Sequence, residues 1–418
     1  MQDIAGLDSG RPEPHRPYKT PITDGKEVHN ESLRTGREML RQRHIGLRDL
    51  LEHFTWAWFI TTMSTGGVAL LLYETPHRFN GLTALGDAVF LLDLVLFFTF
   101  CACITTRFLV FPNSFLTSLR NPAESFFFPA FWISVINILS CTQVYGVPRT
   151  GAWLITTLRV LFWISTAFAF LVAVGQCLLF FSGKLLTMRS LKPAVVMPAF
   201  PILLSGTLAS LVASSQPPEY ALPILVAGIT SVGLGILVAS YLYVLYIGYL
   251  IEYGLPPPNV RPGLFIAVGP PSFTALALLG ISQKFAEIFP SYTVISGVSH
   301  PDIIADIVIV VALCTAVFFW ATAFWNFFIA LMSVLHGACT KPGMSFDLVW
   351  WALVFPNIGL TIATIKIGQE FRSEGILWIC SAMTIILVAV WLAVGAAHVR
   401  ALWKKQILWP MNYEARNQ

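Results

Sequence analysis

Residues 261–280 read RPGLFIAVGPPSFTALALLG, and residues 303–334, the next apolar stretch, read IIADIVIVVALCTAVFFWATAFWNFFIALMSV. Both stretches are apolar enough to cross a bilayer, which takes about 20 helical residues. The first is interrupted in its middle by Gly269-Pro270-Pro271 and the second is smooth. A proline inside a membrane helix frees backbone groups, and irregular backbone at membrane depth is tolerated where it lines a path for solute. One broken span followed by one smooth span is the unit from which the rest of the chain can be read.

Working outward, apolar spans are predicted at 54–72, 84–106, 124–145, 151–181, 193–213, 222–250, 263–283, 303–334, 346–366 and 376–399. The chain is 56% hydrophobic and only 11% charged, with mean hydropathy +0.70. A soluble domain carries about 25% charged residues, so most of this chain belongs in lipid. The odd spans share a grammar. Span three opens at Asn121-Pro122 and carries Pro129; span five opens at Pro193 and carries Pro198 and Pro201. Span seven has Pro270 and Pro271, span nine has Pro356, and span one has Gly66-Gly67 in place of proline. The even spans are read as smooth and proline-free. The expected fold is all-α and integral to the membrane: ten helices as five hairpins round a central pore, with the broken odd helices inside and the even ones outside. Breaks that turn backbone N–H groups toward the axis suit an anion.

Lysine and arginine set the orientation. With the N-terminus in the cytoplasm, twenty of the 26 fall inside and five outside (Arg78, Arg149, Lys284, Lys366, Arg372), with Arg159 left within a span. Both termini are therefore expected to be cytoplasmic. Residues 1–31 read as a disordered tail, 32–53 as a basic amphipathic helix on the inner leaflet, 54–399 as the ten-helix domain and 400–418 as a short cytoplasmic tail.

The long motifs are more specific than the layout. HFTWAWFITTMSTGG (53–67), RFNGL (78–82), RPGLFIAVGPPSFTALALLG (261–280) and WWALVFPNIGLTIATIKIG (350–368) resemble the tellurite-resistance/dicarboxylate transporter family, and within it the fungal malic acid transport branch. The same family includes plant slow anion channels and fungal sulfite exporters. Sulfite exporters are expected to open span one with an F-x-P-S-W-F pattern. Phe54-Thr55-Trp56-Ala57-Trp58-Phe59 departs from it and favours dicarboxylate. The resemblance implies a plasma-membrane protein, often a homotrimer, whose pore is occluded by a phenylalanine on the ninth helix; Phe355 matches that position.

Candidate residues follow. Phe355 precedes Pro356 at the expected bend and is the candidate plug. Lys366 is eleven residues further on, about 16 Å and nearly the same helical face. Arg78, in the loop after span one, offers a carboxylate-binding fork. Ser64, Thr65, Ser134, Asn137, Ser205, Ser272 and Thr274 lie near the breaks and can donate to anion oxygens. Asp87, Asp93, Arg159 and Asp306 lie on even spans and are expected to pair structurally; Glu124 reads as a helix cap or a proton site. The eight histidines and seven cysteines show no metal-ligand spacing, and no G-x-S-x-G or H-E-x-x-H motif is present. No cofactor, metal or nucleic acid is expected. The expected function is transport of C4-dicarboxylates, chiefly malate, with protons as a further partner. The competing readings are efflux of sulfite or a small inorganic anion through the same fold and, more distantly, an integral membrane enzyme.

Overall fold

In the computed structural model, the described residues are 46–183, 193–292, 300–340 and 344–409. The expected tail 1–31, most of the expected interfacial helix and residues 410–418 lie outside them; of that helix, Leu47–Glu52 is in view and helical.

Ten helical spans long and apolar enough to cross a membrane occur among the described residues. They are α1 (Trp56–Glu74), α2 (Leu82–Val110), α3 (Pro122–Arg149), α4 (Ala152–Gly183), α5 (Pro193–Ala213), α6 (Pro218–Tyr253), α7 (Pro258–Ile288), α8 (Pro301–Cys339), α9 (Leu348–Glu370) and α10 (Glu374–Trp403). Their burial alternates. The most apolar windows of the odd spans are 61–89% buried and those of the even spans 17–44%, which puts the odd spans in the interior. α1 packs on α3, α3 on α5, α5 on α7, α7 on α9 and α9 on α1, so the odd spans close a ring. Each even span packs on the odd span before it.

Each odd span changes character partway. α5, α7 and α9 begin as 3₁₀ helix (Pro193–Ala199, Pro258–Val268, Leu348–Leu353) and continue as α-helix from Phe200, Gly269 and Phe355. α3 breaks at Phe126-Phe127 and resumes from Phe128. Pro129, Pro201, Pro270 and Pro356 are each the second residue of the resumed α segment, with Pro271 the third. In a first turn the N–H has no intrahelical acceptor, so proline costs no bond there and its fixed φ favours the start. These prolines mark the point in each span where 3₁₀ helix or turn gives way to α-helix. Pro198 lies inside the 3₁₀ segment.

Two expectations need correction. α1 is not broken at Thr65-Gly66-Gly67: its α segment runs uninterrupted from Phe59 to Glu74, and its change from 3₁₀ falls at Trp58. Glycine weakens a helix without removing a bond, and packing on both sides holds this one. Nor are the even spans free of proline, because Pro223 lies inside α6.

Several charges are settled by packing. Arg107 of α2 forms a buried ion pair with Glu124, its second guanidinium nitrogen 3.3 Å from the other carboxylate oxygen, and donates to the Phe54 carbonyl at 2.9 Å. Glu124 is thus an ion-pair partner, and the cap of that turn is Asn121, whose side chain accepts from Ala123 N–H at 3.1 Å. Asp87 takes a bidentate contact from Arg149 at 2.9 and 2.7 Å. Arg159 lies 3.8 Å from the ring centroid of Tyr220, an aromatic face where an acid was expected. Asp306 is exposed on α8.

Candidate functional site

A cavity of about 110 Å³ lies at the centre of the ring. It is lined by Gly67, Leu70 and Glu74 of α1, Asn137 and Ser140 of α3, and Leu204, Thr207, Ser210 and Leu211 of α5. α7 adds Phe273, Leu276, Gly280, Gln283 and Lys284; α9 adds Phe355, Ile358, Ile362 and Lys366. Every lining residue comes from an odd span and all five odd spans contribute.

One end is aromatic. Phe355, 1% exposed, stacks on Phe273 with ring centroids 5.0 Å apart and planes 26° apart. Two glycines make room. A β-carbon on Gly67 would lie 3.1 Å from the Phe355 ring, and one on Gly359 would lie 2.9 Å from the Phe273 ring. Each ring therefore rests on bare backbone of a neighbouring helix.

The other end is charged, at the C-terminal ends of α1, α7 and α9. Lys366 Nζ pairs with Glu74 at 2.7 Å, with both side chains about four-fifths buried. Lys284 Nζ pairs with Glu287 at 2.8 Å, and Gln283 donates to Glu370. Between the two ends lies a polar belt. The hydroxyls of Ser140, Thr207 and Ser210 donate to Ile136, Leu204 and Thr207 carbonyls at 2.9, 2.8 and 2.8 Å. They face the cavity with lone pairs until they rotate. Asn137 donates to Met63 O at 2.8 Å and keeps a second amide hydrogen.

Of the residues singled out from sequence, Phe355, Lys366, Asn137 and Gly67 meet in this cavity. Arg78 is elsewhere. Its guanidinium caps the end of α1, donating to the carbonyls of Tyr73 and Leu72 and, at 2.9 Å, to Thr83 Oγ1. Ser64 donates to Trp351 O at 3.2 Å; Thr65 donates to Thr61 O and accepts from Trp391 Nε1 at 3.3 Å. Ser134 donates to Ala130 O at 2.9 Å and contacts Thr62 Oγ1 at 2.8 Å. Ser205, Ser272 and Thr274 donate to carbonyls four residues back, at 3.0, 2.6 and 2.7 Å. All six are interhelical or local fasteners in this state. Sequence reasoning missed Glu74, Ser140, Thr207, Ser210 and Gln283. Helical spacing carried the signal: Ser140 is three residues after Asn137, and Glu74 is seven after Gly67.

No group of three or more His, Cys, Asp or Glu placed to hold a metal occurs among the described residues.

A closed ring of five buried spans, sheathed by five more exposed ones and enclosing an amphipathic cavity, defines a multi-pass membrane protein of the transport class. The comparisons place it more narrowly. Residues 53–399 match the voltage-dependent anion channel family model, and the chain belongs to that family. It is 31% identical to the malic acid transport protein of Schizosaccharomyces pombe over 386 residues, covering 90% of this chain and 87% of that one. It is 24% identical to a sulfite efflux pump of Trichophyton rubrum over 358 residues, covering 85% and 93%. An uncharacterized transporter of Methanocaldococcus jannaschii is 22% identical over 328 residues, covering 76% and 84%.

Proposed function

We propose that this anion transporter carries C4-dicarboxylates, chiefly malate, across the plasma membrane through the central cavity, with Phe355 as the gate. The cavity carries the reading: five odd spans surround one amphipathic space, with an aromatic floor at Phe355 and a lysine at its charged end. A hydroxylated four-carbon diacid needs cationic or strongly donating partners at its ends and hydroxyl or amide partners between them. Lys366 supplies an ammonium at one end; Asn137, Ser140, Thr207 and Ser210 supply the belt. The dicarboxylate reading is favoured over sulfite because the match to a malic acid transport protein is the stronger of the two, 31% against 24%.

In this reading Phe355 leaves its seat on Gly67 to open the path, and Glu74 yields Lys366 to a substrate carboxylate. Both termini lie in the cytoplasm, three copies assemble, and protons take part. Each charge moved across 100 mV is worth about 2.3 kcal/mol, so a dianion gains about 4.6 kcal/mol on leaving a cell negative inside. Export can run on voltage alone, and import needs compensating positive charge. The deciding experiment measures labelled malate flux and anion current in the same expressing cells. Malate flux with its electrogenic current is expected; sulfite or chloride current without malate flux would assign the cavity to small inorganic anions.

A further inference from the structure

Asp93 lies midway along α2, fully buried, and among the described residues neither carboxylate oxygen has a well-formed hydrogen bond, although the backbone of Gly66 on α1 is close enough to act on it. Among the described residues no counter-charge faces it. α1 has no lysine or arginine, and its acid, Glu74, is held by Lys366. On α3, the Cys141 thiol donates to Gly66 O at 3.4 Å, the Tyr145 hydroxyl donates to Ala69 O at 2.7 Å, and Arg149 is held by Asp87. On α2 itself, Arg107 is held by Glu124 and Asp87 by Arg149. Burying an ionised carboxylate in such a place without a partner is costly. An ionisable residue buried in a membrane span and left unpaired calls for a functional account.

Its position supplies one. A β-carbon on Gly66 would lie 2.6 Å from Asp93 Oδ2 and 3.3 Å from the β-carbon of Asn137, which lines the cavity. The next residue, Gly67, bears the gate, since its β-carbon would lie 3.1 Å from Phe355 and 2.8 Å from Ile358. The acid and the gate ring thus press on two consecutive bare residues of α1 from different sides.

We propose that Asp93 is a proton-binding site of the transport cycle, coupled to the Phe355 gate through the bare backbone of Gly66 and Gly67. The neutral acid fits the closed packing. Releasing its proton to cavity water leaves a carboxylate that must gain water or donors, which parts α1 from α2 and alters the seat of the Phe355 ring. Rebinding a proton restores the dry contact. The proposal rests on the anion-transport reading above and names the residue that would hold its proton.

The test uses full-length protein in voltage-clamped vesicles. Flux is followed with malate and with chloride, whose charge does not change with pH. In wild type, flux is expected to vary with pH by up to about tenfold per unit, the limit for one proton. Asp93→Asn, isosteric and fixed neutral, should flatten that dependence to under about twofold, taking as its measure the same one-proton limit. Phe355→Ala should abolish the effect of Asp93→Asn. A pH dependence unchanged in Asp93→Asn overturns the proton site, and an equal effect with and without Phe355 overturns the coupling. Wild type that carries no anion defeats the transport reading instead. Infrared difference spectra between acid and alkaline buffer test the site independently of flux and of whether the variant folds. A protonated-acid band in apolar surroundings is expected from wild type, and its absence overturns the proposal.

Discussion

Phe355 and Gly67 are two halves of one contact, and the substitutions that test them act in opposite directions. Removing the ring opens space between α1, α7 and α9 without touching Pro356, which stays in the first turn of its α segment. Phe355→Ala is therefore expected to raise basal anion flux at normal surface expression. Flux unchanged in well-folded variant would reduce the ring to packing. Adding a methyl at Gly67 brings it within 3.1 Å of that ring and 2.8 Å of Ile358, so Gly67→Ala should lock or distort the closed state and lower flux. At the mouth, Lys366→Ala removes a candidate carboxylate partner, and a charge-assisted hydrogen bond is worth about 1.5–3 kcal/mol. Apparent malate affinity should fall at least about tenfold, more than affinity for a monovalent anion. Arg78→Ala should leave that selectivity unchanged and lower protein yield, because its fork caps carbonyls at the end of α1. Equal loss of malate selectivity in both variants would return Arg78 to the substrate path. Phe355 was read from the family resemblance and its place before Pro356, Lys366 from helical phase along the same span, and Asn137 from its place near the break of span three. The partner of Lys366 was not. Glu74 is 292 positions away and meets it only because the ring closes α9 onto α1.

At the scale of elements, existence was easier to read than internal state. Hydropathy sums over a whole span, so all ten spans were legible and their expected limits overlap those observed. The role of the prolines was not. Sequence alone does not distinguish a proline that bends a continuing helix from one that starts a new one. The distinction rests on the residues before Pro129, Pro201, Pro270 and Pro356, which keep right-handed φ and ψ but belong to a 3₁₀ segment or turn that gives way to α-helix at the proline-bearing turn. Span one shows the limit of the analogy: Gly66-Gly67 reads as a break, yet it is continuous helix pressed by Asp93 and Phe355. The joint between α2 and α3 gives an element-scale prediction. Arg107 and Glu124 are buried and pair with each other, and Arg107 also holds the Phe54 carbonyl before α1. Deleting one partner of a buried pair costs about 3–5 kcal/mol because the other charge is stranded, whereas an apolar replacement of both is often neutral. Glu124→Gln should lower the thermal midpoint in detergent clearly, and the double replacement Arg107→Leu with Glu124→Leu should recover much of it. Additive losses would mean the two side chains act separately.

For the whole molecule, the remaining question is which end of the ring faces the cytoplasm, since this decides whether the Lys366 mouth receives substrate from outside or releases it there. The ends are chemically unequal. Arg78, Arg149, Lys284 and Lys366 lie at or just beyond the C-terminal ends of odd spans, while Arg107, Arg120 and Arg261 lie at the opposite end of the ring. Counted over the full sequence, the span order assigns twenty lysines and arginines to the second side and five to the first. By the positive-inside rule that excess is expected on the cytoplasmic side, and we propose that the Lys366 mouth opens outward. Two measurements test this. Asn30-Glu31-Ser32 is a glycosylation sequon on the side assigned to the cytoplasm, so Asn30 should stay unmodified in a eukaryotic host. Thr150 and Asn113 are exposed in loops at opposite ends of the bundle. In a background with the native cysteines blocked, Thr150→Cys should react with an impermeant maleimide on intact cells, and Asn113→Cys only after permeabilisation. The reverse pattern, or glycan at Asn30, would turn the ring over. Phe355 would then close the path below a mouth that opens to the cytoplasm, and the pair of Lys366 with Glu74 would meet substrate on its way out.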